Sequence, residues 1–294
     1  MRNAFIKELI RYAEIDERIF LVVGDLGYSV IEPFKERFPS RFVNAGVAEQ
    51  NMTGVAAGLA REGYKVFTYS IANFPTLRCL EQIRNDVCYH ALNVTVVAVG
   101  GGFMYGTAGT THHATEDIGI LRSLPNLRLF APSMPTQIPP VMEEIVSSRG
   151  PAYLRIGRAM DSIPKGEFVA IEGGWLTHRD GASRAILTVG NVSGIVDKFL
   201  GIERKKYDHW ICGKLKPMPS QVIDSLRGYK EISIFEDHQR SGGLFSILAE
   251  IFYTQTGMGI GPVLHSYSIA DVFPSIVGKE AALANEMVKP IVGK

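Results

Sequence analysis

Short apolar runs alternate with helical patterns along most of this 294-residue chain, and that alternation constrains its fold most. IFLVVGD, YKVFTYS, NVTVVAVGG, LRLFAP and AYLRIG read as strands, and segments of helical periodicity separate them. Such a chain buries its apolar surface as mostly parallel sheets with crossover helices, an α/β architecture. NVTVVAVGG is apolar throughout, so this strand is expected to be covered on both faces of its sheet. A first helix is expected over residues 3–14. CLEQIRNDVCYH is expected as a helix with Leu80, Ile83 and Val87 on one face, and GGGFMYGTAGTTHHA as a long loop. Composition shifts near SIPKGEFVAIEGG, and a second, smaller α/β unit starts at AILTVGN. The expected division is a first domain over 1–164, a linker over 165–180 and a second domain over 181–294.

Composition narrows the function classes. The chain is 46% hydrophobic and 21% charged, with 30 glycines, which suits one large or two medium soluble domains. Formal net charge is +1 with no basic block, so neither nucleic acid nor a membrane surface has electrostatic support as a partner. No apolar run reaches the roughly 18 residues of a membrane span. MRNAFIKELIRYAEIDERI carries acids and reads as an amphipathic helix, not a signal peptide. Cys79, Cys88 and Cys212 have no metal or redox spacing, so buried free thiols in a cytoplasmic protein are expected.

Ligands of open parallel sheets gather at the carboxyl ends of the strands. Gly24–Ser29, Phe74 and Gly100–His113 all lie just past expected strands, which assigns the chemistry to the first domain. The segment from Phe42 to Leu59, FVNAGVAEQNMTGVAAGL, holds a single acid, Glu49, at the start of a helical run. Met52, Val55, Ala56 and Leu59 form one apolar face, and Gly54 and Gly58, four apart, allow another element to approach. Nothing nearby in sequence neutralises Glu49. The carboxyl is expected to be desolvated, with a raised pKa suited to proton chemistry. A first-turn glutamate that complements the helix dipole is the plainer reading of the same residue.

GVAEQNM with this helix behind it, a Phe-containing turn, QIRNDV, a glycine-rich loop with THH, and PNLRLFAPS follow one another in order. Together they resemble the C-terminal half of the thiamine-diphosphate-dependent transketolases, the pyrimidine-binding domain followed by the C-terminal domain. The resemblance covers nearly the whole chain and is strongest from Arg2 to Arg158. It implies that Glu49 is the carboxyl group that activates the cofactor through its pyrimidine nitrogen. Phe74 falls at the position that stacks on the pyrimidine ring, with Ile71 in place of a second aromatic. His112 matches the histidine that moves protons at the substrate, and His113 takes the position of the neighbouring substrate-binding glutamine. Arg158, Ser29 and Arg2 fall where a substrate phosphate is held. Asp25, in GDLGYS, is assigned to the cofactor side. Two adjacent loop histidines with no third ligand nearby do not make a metal site.

Departures from the family pattern fall on the donor side. Ala108 stands where an aspartate contacts donor hydroxyls, and Gly100 where a histidine contacts phosphate. Gly100–Gly101–Gly102 slightly resembles the β subunits of 2-oxo acid dehydrogenases. GDLGYS lacks the third glycine and the downstream asparagine of the motif that binds Mg2+ and diphosphate. The resemblance and this missing motif imply a β subunit that holds the pyrimidine end. A separate N-terminal subunit would then supply the diphosphate domain and the Mg2+ ligands, in an α2β2 assembly. The implied reaction transfers a two-carbon ketol unit from a ketose or 2-oxo donor to an aldose acceptor, with sugar or sugar-phosphate substrates. The alternatives are a 2-oxo acid dehydrogenase β subunit, a pyruvate-using carboligase like deoxyxylulose-phosphate synthase, and a non-catalytic scaffold subunit.

Overall fold

The computed structural model describes residues 1–157, 164, 166–200, 206–253, 261–273, 277–279 and 282. Among these residues two mostly parallel sheets are flanked by helices. The first sheet takes β1 (Ile19–Val23), β2 (Phe42–Asn44), β3 (Lys65–Ile71), β4 (Val94–Val99), β5 (Arg128–Phe130) and β6 (Ala152–Ile156). The second takes β7 (Val169–Ala170), β8 (Leu176–His178), β9 (Arg184–Val189), β10 (Asp208–Ile211), β12 (Glu231–Gln239) and β13 (Val263–Ile269). The remaining strand, β11 (Lys214–Lys216), follows β10 in the chain but joins the first sheet, antiparallel to β5. The strand orders are β11-β5-β6-β4-β3-β1-β2 and β13-β12-β9-β10-β8-β7. No described helix is long and apolar enough to cross a membrane.

Two-residue periodicity divides the first sheet's side chains between two cores. Leu21, Val23, Phe67, Tyr69, Val97 and Val99 pack against Phe5 and Leu9 of the Arg2–Ile15 helix and Val141 and Ile145 of the Ile138–Ser147 helix. Val22, Val66, Val96 and Ala98 face the other way. Their cluster runs through Met52 and Ala56 of the Glu49–Arg61 helix to Leu187, Trp210 and Ile232 of the second sheet. As expected, β4 is buried along its whole length. The three cysteines are free and buried.

Several local features differ from the sequence reading. Residues 80–88 are one short α-turn, Leu80–Gln82, running into a π-helical turn, Ile83–Cys88. The wider π-turn brings Ile83, Val87 and Cys88 together to the core, which α-helical spacing would not do. Gly54 and Gly58 meet no other element: a β-carbon at either would have nothing within 4 Å. The stretch 165–180, read as linker, contributes β7 and β8, antiparallel strands of the second sheet. Buried Gln137 stitches the halves near this point. It donates to the carbonyls of Gly174 (2.7 Å) and Cys212 (2.8 Å) and accepts from the Ser133 and Met134 amides (both 2.8 Å).

Candidate active site

The carboxyl end of the first sheet is shaped by how β1 and β2 finish. Asp25, just past β1, has φ of 53°, and its amide donates to Asn44 Oδ1 at 3.1 Å. Asn44 Nδ2 donates back to Asp25 Oδ1 at 2.9 Å, and the Gly46 amide donates to Asn44 Oδ1 at 3.0 Å. Asn44, which sequence reasoning passed over, thus clips both loops and aims the chain into the Glu49–Arg61 helix. Gly24 has no side chain where β1 approaches this helix. A β-carbon there would lie 3.3 Å from Ser70 Oγ and 3.5 Å from Glu49 Cγ.

Glu49 opens its helix and is 1% exposed. It is not isolated as expected. Arg78 Nη1 donates to Glu49 Oε2 at 2.5 Å, so a salt bridge from 29 residues away meets the buried carboxylate. The Arg78 guanidinium carbon lies 4.8 Å from the centre of the Phe74 ring. The His112 ring meets Phe74 edge-on, 5.4 Å between centres at 71°. Asn73 Nδ2 donates to the Thr111 carbonyl at 3.0 Å and ties the Phe74 turn to the His112 loop. Thr111 Oγ1 pairs with His112 Nδ1 at 3.0 Å. The structure therefore brings together Glu49, Phe74 and His112, with Arg78 joining the first two. Arg78 lies four residues after Phe74, and a cation one helical turn from an aromatic was the available signal for it.

The other candidates have different neighbours. His113 is buried and meets Phe103 edge-on, 5.1 Å between ring centres, and burial pushes its pKa down. Arg2 sits in the first turn of its helix, near Tyr69 of β3. Burial pushes the Tyr69 phenol up to about 12, and the Arg2 charge pulls the other way. Ser29 is exposed with φ of 64°, and its amide donates to Glu32 Oε1 at 2.9 Å. Asp25 and Ala108 are exposed. Arg158 lies outside the described residues.

The three glycines after β4 also have a physical account. A β-carbon at Gly100 would fall 2.2 Å from the Tyr105 ring, at Gly101 2.0 Å from Arg155 Nε, and at Gly102 2.2 Å from Asp237 Oδ2. Gly100 thus makes room for Tyr105, an aromatic that sequence reasoning did not single out. The other two make room for a buried ion pair that joins the sheets. Arg155 of β6 donates to Asp237 Oδ1 of β12 at 2.7 Å and to Asp117 Oδ2 at 3.0 Å, and Tyr153 Oη donates to Asp117 Oδ2 at 2.5 Å. His238 belongs to β12. Its Nε2 accepts the Gly119 amide at 3.1 Å, and its Nδ1 faces the Gln239 carbonyl at 2.6 Å. Those partners fit a neutral ring protonated on Nδ1. Burial pushes its pKa down, which also favours the neutral form.

Residues 1–160 match the family model for the transketolase pyrimidine binding domain. One subunit of an apulose-4-phosphate transketolase from Actinobacillus succinogenes is 32% identical over 257 residues, covering 85% of this chain and 83% of that protein. A putative transketolase C-terminal section from Methanocaldococcus jannaschii is 33% identical over 285 residues, covering 93% of this chain and 87% of its own length. A solved structure of a split-gene transketolase, an inactive β4 tetramer, matches with a TM-score of 0.80 at 28% identity, over 99% of this chain and 97% of that one.

Proposed function

The chain belongs to the transketolase family as a C-terminal-half subunit, and on that premise we propose how its site works. It holds the pyrimidine end of thiamine diphosphate. A separate N-terminal subunit supplies the diphosphate end and the Mg2+ ligands, in an α2β2 assembly. One observation supports this reading most: a single planar, N–H-bearing group, the Arg78 guanidinium, reaches the Glu49 carboxylate and the Phe74 ring at once. An aminopyrimidine asks for the same two contacts, a carboxyl at a ring nitrogen and an aromatic face, so the residues present fit the cofactor.

When bound, thiamine diphosphate supplies the nucleophilic carbon through which a two-carbon ketol unit passes from a ketose or 2-oxo donor to an aldose acceptor. The chain's own residues do the rest. Glu49 holds a proton between its carboxyl oxygen and the pyrimidine nitrogen, in a setting that excludes water. Phe74 orients the ring. His112 keeps Nδ1 on Thr111, so Nε2 is the nitrogen that exchanges protons with substrate hydroxyls. Asp25 lines the cofactor side. Arg2 and Ser29, with Arg158, hold an anionic group of the sugar substrate, and His113, packed edge-on against Phe103, anchors the loop that carries His112.

Ala108, where the family pattern has an aspartate for donor hydroxyls, and Gly100, where it has a histidine for phosphate, favour a second reading, in which the donor is pyruvate instead of a ketose phosphate. Screening pyruvate against ketose phosphates with the assembled enzyme separates the two.

Calorimetric titration of thiamine diphosphate with Mg2+ into the chain, alone and mixed with its diphosphate-binding subunit, tests the split site. Tight binding is expected only in the mixture. Glu49→Gln is expected to lower turnover of the assembled enzyme by about 10²–10⁴-fold, the range for a lost acid–base group. Unchanged turnover in that variant would remove Glu49 from the chemistry.

A further inference from the structure

Resting on the pyrimidine-site reading above, we propose that Arg78 is a built-in placeholder for the aminopyrimidine ring. Its guanidinium holds Glu49 and covers Phe74 in the cofactor-free chain and gives way when the ring docks. Both contacts that the ring requires are already made by this one side chain, at 2.5 Å to Glu49 Oε2 and 4.8 Å to the Phe74 centre. A ring on Phe74 needs the volume that the guanidinium fills.

The two partners differ sharply in access. The Glu49 side chain is 1% exposed and that of Arg78 46% exposed, so Arg78 closes the site from its solvent side. Its backbone is anchored, because Gln50 Nε2 donates to the Arg78 carbonyl at 3.2 Å and the Cys79 amide donates to the Thr76 carbonyl at 3.1 Å. The movement therefore belongs to the side chain alone. The physical reason for such a device is the cost of a buried carboxylate without a counter-charge. Until the cofactor arrives, the chain provides that charge itself. Arginine suits the task better than lysine, since its flat fork both lies on a ring and donates to a carboxylate.

A placeholder competes with what it imitates. A site closed nine times in ten loses about tenfold in apparent affinity. The test uses thiamine, which carries the pyrimidine without the diphosphate, titrated by calorimetry into the full-length chain assembled with its diphosphate-binding subunit. The variants are Arg78→Ala, Arg78→Lys, Glu49→Gln and the Arg78→Ala/Glu49→Gln pair, each checked for an unchanged circular dichroism spectrum. Arg78→Ala is expected to bind thiamine about tenfold more tightly than the parent chain. Arg78→Lys, which keeps the charge and loses the flat fork, is expected to fall between them. The double variant is expected to lose the gain. If Arg78→Ala binds thiamine equally or more weakly, while Glu49→Gln still abolishes binding, the placeholder is overturned and the pyrimidine site stands. If no variant binds thiamine, both are overturned.

Discussion

Phe74 has two neighbours that matter, an arginine over its ring and a histidine at its edge. In the proposed site, its face serves both the Arg78 charge and a stacked pyrimidine. Phe74→Ala should weaken cofactor binding to the assembled enzyme by at least about 2- to 12-fold, the equivalent of 0.5–1.5 kcal/mol for an aromatic pair. Calorimetry on the complex measures it, and an unchanged affinity would place the ring elsewhere. Glu49, Phe74 and His112 were legible in the sequence because each lies at a fixed offset within a motif. The pairing of Arg78 with Glu49 was not, because it exists only once β2 and β3 lie on either side of β1 and the segments that follow them meet. Tyr105 stayed hidden for a related reason: the sequence marks Gly100 as a missing side chain but not the ring that moves into the space.

Among the elements, the helix Leu244–Tyr253 shows how local sequence and tertiary burial divide the work. SGG reads as a tight helix start. Gly243 is needed there because a β-carbon would fall 2.2 Å from Glu236 Oε2. Glu236 caps the helix, accepting the Leu244 amide at 2.6 Å and the Phe245 amide at 3.3 Å. Burial pushes its carboxyl up to about 8, from an ordinary 4.5. Between those values the folded chain holds a proton that the unfolded chain has released, so stability falls as pH rises through that window. His113 and His238, both pushed down by burial from 6.5, act in the other direction and cost stability as pH falls below that value. The urea midpoint is therefore expected to drop between pH 6.5 and 8. Glu236→Gln, which keeps the accepting oxygen and loses the titration, should flatten that drop; an equally steep drop in the variant would clear Glu236. The π-turn at Ile83–Cys88 was not legible, since its residues fit α-helical spacing until Cys88 also has to be buried.

For the whole molecule, the alternation of strands and helices was enough to give the α/β class and most of the parallel strands. It did not give the way the halves are joined. Arg155 and Asp237 make one bond between the sheets, inside space that Gly101 and Gly102 leave open. β11 makes another, and three residues with two lysines carry too little pattern to announce a strand. Leu215 is buried, Lys216 Nζ donates to the Arg122 and Leu124 carbonyls, and Lys214 pairs with Glu144. A fragment ending at residue 180 would keep β1 to β6 but expose the open side of β5. Such a fragment is expected to self-associate as its concentration rises, measured by light scattering, whereas the whole chain gains no such open strand; a fragment that stays monodisperse would show β11 to be dispensable. Read along the sequence, the two halves look like beads on a thread. In space the thread passes back through the first bead before it finishes the second, so no single cut of the scissors yields two closed sheets.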